Sequence, residues 1–158
     1  MKLIKLEHEI TIEDINKRYN LPNQKIGIII HIKDENKKIL FQQRGPKSRG
    51  DKFLYEDIGG RVESTDKSFK ETAIRELKEE IGEAANIEIS NQIGIYTVYK
   101  NDINWIFIIY LGKYIDGEIK IMEPEKCLGY KFFTKEEALN SDQVTDSCKY
   151  LIRELKDY

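Results

Sequence analysis

Three glutamates, Glu76, Glu79 and Glu80, stand at helical spacing within a segment, residues 68–81, that has the periodicity of a helix. At about 100° per residue, their carboxylates fall within roughly 100° of one another on one helix face. Like charges at this spacing repel, and Glu79 and Glu80 also lie near the carboxyl end, where the helix dipole disfavours negative charge. A cation would offset both costs, and clustered carboxylate oxygens suit a hard ion such as Mg²⁺ or Mn²⁺. Taken alone, the same pattern is also typical of a solvated helix face.

The residues around this acidic cluster are of types that position a helix and a ligand. Ser68 followed by Glu71 is a capping box, and Gly82 is a typical helix terminator. Upstream, Gly59 and Gly60 would let the backbone approach a ligand closely. The apolar side chains that would dock the helix on the rest of the protein are Ile74, Leu77 and Ile81.

Together, residues 59–83 resemble the Nudix box: Gly, five residues, Glu, seven residues, then Arg-Glu-apolar-x-Glu-Glu-x-Gly-apolar. Arg75 begins the Arg-Glu part of the motif. Counting six on from Gly60 reaches Asp66 instead of Glu, with eight residues between it and Arg75. Glu83 stands where the box has an apolar residue. We place the additional residue in the loop before the helix, so the helical carboxylates keep their spacing.

The resemblance implies a Nudix-type α/β/α sandwich around a mixed β-sheet, and a hydrolase that cleaves a diphosphate linkage. Glu76, Glu79 and Glu80, together with the Gly60 carbonyl, would bind Mg²⁺, with Mn²⁺ as the alternative. Arg75 would orient the carboxylates by an ion pair. Glu79 or Glu80 would be the general base, unless an acidic residue of a later loop has that role.

A second stretch, residues 122–133, is similar to the Glu-Pro-Glu-Lys-Cys…aromatic segment of nucleoside-triphosphate-directed Nudix members. By that resemblance, Glu123 or Glu125 would supply a further metal ligand or base, and we include Glu125 among the substrate-binding residues. A polar loop that leads into an edge strand explains the segment nearly as well.

Two further residues are candidates for substrate binding. Arg44, at the end of a predicted strand, would hold a phosphate through two parallel hydrogen bonds. Tyr55 would stack on a base. The alternatives are an ordinary surface arginine and an ordinary core aromatic residue.

The rest of the sequence predicts a sheet that positions the acidic helix. A mixed sheet with helices on its faces is the economical architecture for this order of elements. Short helices are expected after the capping motifs at Thr11 and Thr134, and an amphipathic helix at the carboxyl end. Asn101-Asp102 and Asp116-Gly117 are predicted hairpin turns. Strands are predicted at residues 26–32, 39–43, 53–58, 87–90, 93–100, 105–114, 118–121 and 130–133.

Length and composition limit the classes of function. The 158 residues fit one domain, 1–158, with residues 1–24 as an N-terminal extension. With a net charge of −2 there is no general positive field, which disfavours duplex nucleic acid as a partner. Charges interrupt the apolar N-terminus, and the longest apolar run, Trp105 to Leu111, is too short for a bilayer. We therefore expect a cytoplasmic protein, with Cys127 and Cys148 reduced, that does not bind membranes.

The resemblance to the Nudix family, and to its nucleoside-triphosphate-directed members, implies a nucleoside triphosphate as substrate, cleaved to a nucleoside monophosphate and pyrophosphate. ADP-ribose, nucleoside diphosphate sugars, dinucleoside polyphosphates and capped RNA are alternatives within the same class. A non-catalytic nucleotide-binding module would be expected to lack carboxylates that this chain retains. An isopentenyl diphosphate isomerase would need a catalytic cysteine near the site, where neither cysteine is expected. The sequence leaves a homodimer open.

Overall fold

The computed structural model describes all 158 residues, from Met1 to Tyr158. The strands are β1 (Lys2–Lys5), β2 (Gln24–Lys33), β3 (Ile39–Arg44), β4 (Tyr55–Glu56), β5 (Ile58–Arg61), β6 (Asn86–Lys100), β7 (Ile103–Asp116) and β8 (Cys127–Phe133). The helices are α1 (Ile12–Arg18), α2 (Phe69–Ile81), α3 (Lys135–Asn140) and α4 (Asp146–Glu154).

The strands form one mixed sheet. Its order is β1-β6-β7-β2-β3-β4, with β5 paired to β2 and β8 paired to β3. β2 and β7 run parallel along the whole length of β2, whereas the other paired strands are antiparallel. The predicted mixed sheet is confirmed.

Alternating residues of β2 divide the core into two layers, as expected because successive strand residues point to opposite faces. Ile28 and Ile30 lie in the core cluster that contains Phe69 of α2. Ile29 packs against the cluster that contains Leu151 of α4. Helices therefore cover both faces of the sheet, which confirms the predicted α/β/α sandwich. No helix combines the length and the apolar character needed to cross a membrane.

Helix α2 is held at both ends by the residues that predicted it. The Ser68 hydroxyl accepts a hydrogen bond from the Glu71 backbone N–H at 3.1 Å. The Glu71 carboxylate accepts from the Lys67 N–H instead of the Ser68 N–H, so the capping box is only half formed. At the other end Gly82 adopts φ +83°, a conformation that favours glycine and ends the helix. The predicted helix is confirmed to within one residue.

The predicted strand at residues 118–121 is wrong, and so is the hairpin turn before it. β7 ends at Asp116, and Gly117 adopts φ +90° where the chain leaves the sheet. The Lys120 N–H then donates to the Ile81 carbonyl at 3.0 Å. This segment therefore closes the carboxyl end of α2, where the last carbonyls lack partners within the helix.

Other strand boundaries differ from the prediction in ways that matter for the site. Gly59 and Gly60 lie inside β5 and not after a strand. The strands predicted at 87–90 and 93–100 form the single strand β6, with irregular register near Gln92. Strand β1, which pairs with β6 at an edge of the sheet, was not predicted.

Candidate active site

The backbone of β5 and the middle of α2 meet at Gly60 and Glu76. A Cβ atom on Gly60 would lie 2.1 Å from the Glu76 Cδ atom, so only glycine fits beneath this carboxylate. Glu76 is 7% exposed. The Gly60 carbonyl oxygen lies beside β2, 2.7 Å from where a Cβ on Gly27 would be. The two predicted ligand positions, Gly60 and Glu76, are therefore neighbours in space.

Arg75 lies among the carboxylates of α2 and the preceding loop. Its Nη1 atom donates to Glu76 at 2.9 Å and to Glu79 at 3.2 Å, and lies 3.4 Å from Glu63. Its Nη2 atom also donates to the Arg61 backbone carbonyl at 3.0 Å. These partners use the guanidinium fork within the protein, and they include the carboxylates of Glu76 and Glu79.

Asp66, the residue at which the chain departs from the box, supplies the strongest of these partners. It accepts from Arg75 Nε at 3.1 Å and from Nη2 at 2.8 Å, and from the Thr72 hydroxyl at 2.9 Å. The hydrogen bond from Arg75 is the main reason that the pKa of Asp66 falls to about 2. Asp66 also raises the pKa of Arg75 above its ordinary value. The longer loop thus brings a carboxylate to Arg75.

Glu80 is half-buried beside other carboxylates. Burial and, after it, the neighbouring carboxylates of Glu76, Glu123 and Glu56 together raise the pKa of Glu80 to about 7. Burial is also the main reason that the pKa of Glu76 rises to about 7, although Arg75 opposes the shift. The nearby ammonium of Lys126 lowers the pKa of Glu80, but its effect is smaller than that of burial or of the three carboxylates. This pocket therefore has more negative charge than its own cations neutralise.

The group of carboxylates formed by Glu56, Glu76, Glu80 and Glu123, which we call the acidic pocket, is of a kind that binds divalent cations. Its donors are carboxylate oxygens only, and its excess negative charge suits a hard ion such as Mg²⁺ or Mn²⁺. As the side chains stand, no three acidic, histidine or cysteine residues lie close enough to coordinate an ion together. The ion pairs with Arg75 explain this spacing in part, because they hold Glu76 and Glu79. The residue types fit the ion, and binding would require exposed side chains such as Glu79 to turn.

Glu123 and Glu125, which the sequence offered as alternatives, occupy different surroundings. Glu123 has a 36% exposed side chain and lies near enough to raise the pKa of Glu80. Glu125 has a 71% exposed side chain and lies 3.6 Å from the ammonium of Lys47. The structure brings Glu123, and not Glu125, to the acidic pocket.

Arg44 is engaged by groups of the protein. Its Nη1 atom lies 2.5 Å from Glu56, and its Nε atom donates to the Gly50 carbonyl at 2.7 Å. Burial raises the pKa of Glu56, and Arg44 opposes this rise. The predicted phosphate-binding arginine thus neutralises a carboxylate of the pocket. Glu56 was not among the predicted site residues. The only feature of the sequence that could have indicated it is a charged residue inside a predicted strand.

A buried pair fixes the junction between β4 and β5. His31 Nδ1 and Asp57 Oδ1 are 2.9 Å apart, and both side chains are almost completely buried. The Asp57 N–H also donates to the Cys148 sulfur at 3.2 Å. Asp57 separates Glu56 from the glycines of β5, so this pair determines where that carboxylate and the glycines lie.

A cleft lies beside β4. Tyr55 donates its N–H to the Gln143 carbonyl at 2.7 Å, and its own carbonyl accepts from the Thr145 N–H at 3.1 Å. The Tyr55 ring packs edge-on against Phe133, which makes it a core contact. The neighbouring residues Leu54 and Thr145 line a cavity of about 540 Å³, which also reaches Lys100 at the end of β6. A separate cavity of about 340 Å³ lies beside His31, and no carboxylate of α2 lines either cavity.

Comparison with known proteins identifies the family. The NUDIX domain matches residues 23–155, which include all of the acidic pocket. The chain belongs to the Nudix family. Membership places the chain among the Nudix pyrophosphohydrolases, as the sequence predicted. No curated protein sequence matches the chain significantly.

Solved Nudix structures share the fold at low sequence identity. The MutT protein of Methanosarcina mazei Go1 superposes with a TM-score of 0.69 at 23% identity, covering 87% of this chain and 99% of that one. A NUDIX hydrolase of Nitrosomonas europaea gives 0.69 at 16% identity, covering 85% and 89%. The NUDIX domain of Shewanella oneidensis NrtR, complexed with ADP ribose, gives 0.66 at 16% identity, covering 94% and 98%. At these identities, the likeness establishes the fold.

Proposed function

We propose that this Nudix protein is a Mg²⁺-dependent hydrolase that cleaves a nucleoside triphosphate to a nucleoside monophosphate and pyrophosphate, with Mn²⁺ as an alternative ion. The observation that carries the proposal is the acidic pocket, where Glu80 is half-buried beside Glu56, Glu76 and Glu123. Burying like charges is costly unless a cation accompanies them. A polyphosphate substrate needs the same cation to approach carboxylates.

Glu76, Glu79, Glu80 and the Gly60 carbonyl would hold the ion. When bound, a divalent ion of this kind neutralises phosphate charge and lowers the pKa of a water molecule. We assign removal of the proton from the attacking water to Glu80. Arg75 holds Glu76 and Glu79 by hydrogen bonds, whereas no side-chain donor holds Glu80.

The remaining residues would orient the substrate and the pocket. Arg75 fixes the carboxylates it contacts, and Arg44 holds Glu56 by an ion pair at the edge of the pocket. The cleft beside Tyr55 would receive the nucleoside, because Leu54 in its lining is two residues from Glu56 in the chain. Glu125 stays outside this assignment, since it is exposed and paired with Lys47.

The same proposal covers the cellular setting. We propose a single domain over residues 1–158 that acts in the cytoplasm on a small nucleotide, without a nucleic-acid or membrane partner. The net charge of −2 and the two free cysteines support this setting. A homodimer stays an alternative that light scattering would decide.

The first experiment measures release of pyrophosphate and phosphate from a panel of nucleotides with Mg²⁺, with Mn²⁺ and with EDTA. The panel contains canonical and oxidised nucleoside triphosphates, ADP-ribose, nucleoside diphosphate sugars, dinucleoside polyphosphates and capped RNA. We expect pyrophosphate release from a triphosphate that stops with EDTA. Turnover only of another member of the panel would replace the triphosphate assignment, and turnover unaffected by EDTA would overturn the metal dependence.

The matching variants are Glu80→Gln and Glu83→Gln. Glu80→Gln should lower kcat by about 10²- to 10⁴-fold, the range expected for loss of a positioned base. Glu83 lies just beyond the same helix, is exposed and is 3.9 Å from Lys78, so its variant should keep the wild-type kcat. Equal kcat values for the two variants would contradict the role of Glu80.

A further inference from the structure

Two arginines, Arg75 and Arg44, lie near the acidic pocket, but hydrogen bonds within the protein hold both of them. Neither guanidinium is therefore free to approach a phosphate. Arg75 makes hydrogen bonds to Asp66, Glu76, Glu79 and a backbone carbonyl. Arg44 is held by Glu56 and a backbone carbonyl. Binding a phosphate with either arginine would require breaking several of these contacts.

Lys126 combines a fixed backbone with a free side chain. Its N–H donates to the Glu123 carbonyl at 3.0 Å, and its carbonyl accepts from the Gly45 N–H at 2.7 Å. Gly45 fits only as glycine, because a Cβ atom there would lie 2.5 Å from the Glu125 carbonyl oxygen. The Lys126 side chain is 69% exposed, and its ammonium has one ion-pair partner, Glu123, at 3.1 Å.

The segment that carries Lys126 lies against the carboxyl end of α2, because the Tyr130 hydroxyl donates to the Glu80 backbone carbonyl. Glu123, Glu80 and Glu76 all raise the pKa of Lys126, so it carries a full positive charge at neutral pH. An exposed lysine–glutamate pair is weak and exchanges partners easily. A polyphosphate that enters the pocket offers Lys126 a partner with more negative charge than one carboxylate.

We propose that Lys126 is a substrate-binding residue that exchanges its partner Glu123, a carboxylate of the acidic pocket, for a non-bridging oxygen on the phosphate chain. The inference rests on the proposed function, because it names a residue that recognises the same substrate. The exchange moves no proton and breaks no covalent bond.

The kinetic test compares Lys126→Met with Lys47→Met. Lys47 is a matched control, because it is 70% exposed and also pairs with a glutamate of the same loop, Glu125 at 3.6 Å. Lys126→Met should raise KM about 10- to 100-fold, the range for loss of a charged hydrogen bond. Lys126→Arg should recover part of this loss, and Lys47→Met should change KM less than about twofold. Unchanged KM in Lys126→Met, or an equal rise in Lys47→Met, would overturn the proposal.

A binding measurement keeps the inference separate from the proposed hydrolysis. Calorimetric titration with inorganic tripolyphosphate and Mg²⁺ needs no turnover, and should show weaker binding to Lys126→Met than to the wild type and to Lys47→Met. If the wild type hydrolyses no nucleotide but this difference holds, the proposed function fails while the phosphate-binding role of Lys126 stands. Equal affinity in all three proteins, each with an unchanged melting temperature, would overturn the role itself.

Discussion

Arg75 and Asp66 form the ion pair that shapes the carboxylate side of α2. Asp66 receives two hydrogen bonds from the guanidinium, which leaves the remaining nitrogen to hold Glu76 and Glu79. A lysine could not do this, because an ammonium lacks the planar fork that contacts several oxygens at fixed angles. The geometry of Glu76 and Glu79 therefore depends on a residue outside the helix.

Asp66→Asn tests this pair through acid stability. The folded pKa of about 2 lies below the ordinary 3.8, so Asp66 stabilises the fold above pH 3.8, and this contribution is lost as the pH falls towards 2. Between pH 7 and pH 2.5, the free energy of unfolding should therefore fall by about 1.5 kcal/mol more in the wild type than in the variant. Urea unfolding of both proteins at the two pH values measures this difference in the free energy of unfolding.

The control for this experiment is Asp157→Asn, since Asp157 is exposed and lies 3.8 Å from Lys5. It should follow the wild-type dependence on pH. If Asp66→Asn and the wild type lose stability in parallel on acidification, Arg75 does not hold Asp66 in its charged form.

At the scale of elements, the site depends on how closely β5 approaches α2. Glu76 lies directly on Gly60, and Gly59 is just as close to the neighbouring strand, where a Cβ would lie 2.2 Å from the Ile28 carbonyl oxygen. The glycines are thus needed for close packing and not for a turn, because both lie in an extended strand. The buried His31–Asp57 pair holds the start of that strand in place.

Gly60→Ala tests this approach. The added methyl group would overlap the Glu76 carboxylate, so either the side chain or the helix must move. We expect a loss of about 1 to 3 kcal/mol in the free energy of unfolding, and a fall in kcat of at least about 100-fold, because misplaced catalytic groups lose rate steeply. Gly129→Ala is the control, since nothing lies within 4 Å of a Cβ at that strand position. Normal activity in Gly60→Ala would show that Glu76 need not lie against this backbone.

At the scale of the whole molecule, the N-terminal residues complete the sheet. The family match begins at residue 23, yet β1 pairs with β6 and the Gln92 side chain bonds both the N–H and the carbonyl of Ile10. Ile15 of α1 is fully buried in the same core cluster as Phe69 of α2. This segment therefore belongs to the packed structure and covers an edge that would otherwise expose backbone groups of β6.

Removing residues 1–22 should lower the urea midpoint and promote self-association, because it uncovers β6 and empties the site of Ile15. A shorter deletion, residues 1–5, removes β1 alone and should cause a smaller loss of stability. Urea unfolding and light scattering distinguish these cases. A truncated protein with the stability of the wild type and no more self-association than the wild type at high concentration would contradict this role.

Local sequence patterns were sufficient to predict the elements that are determined by interactions between residues close together in the chain. The cap at Ser68, the terminator at Gly82 and the spacing of Glu76, Glu79 and Glu80 predicted α2, because a helix is determined by contacts three and four residues apart. Alternating and continuous apolar runs predicted most strands, and the box predicted the family. The prediction of a strand at 118–121 was wrong because this segment bonds to a free carbonyl at the end of α2 instead of to a neighbouring strand. A local sequence pattern cannot show which of these two partners the segment takes.

Tertiary structure alone decided which charges share the site. Glu56 and Glu123 reach Glu80 from distant parts of the chain, while Glu125, two residues from Glu123, points to Lys47. Arg44 meets Glu56 because β3 and β4 pair. Electrostatic and hydrogen-bonding partners depend on distances of a few ångströms, which sequence spacing determines within a helix but not between elements. The sequence by itself thus determined the family and the helical carboxylates, whereas the fold determined which side chains surround them.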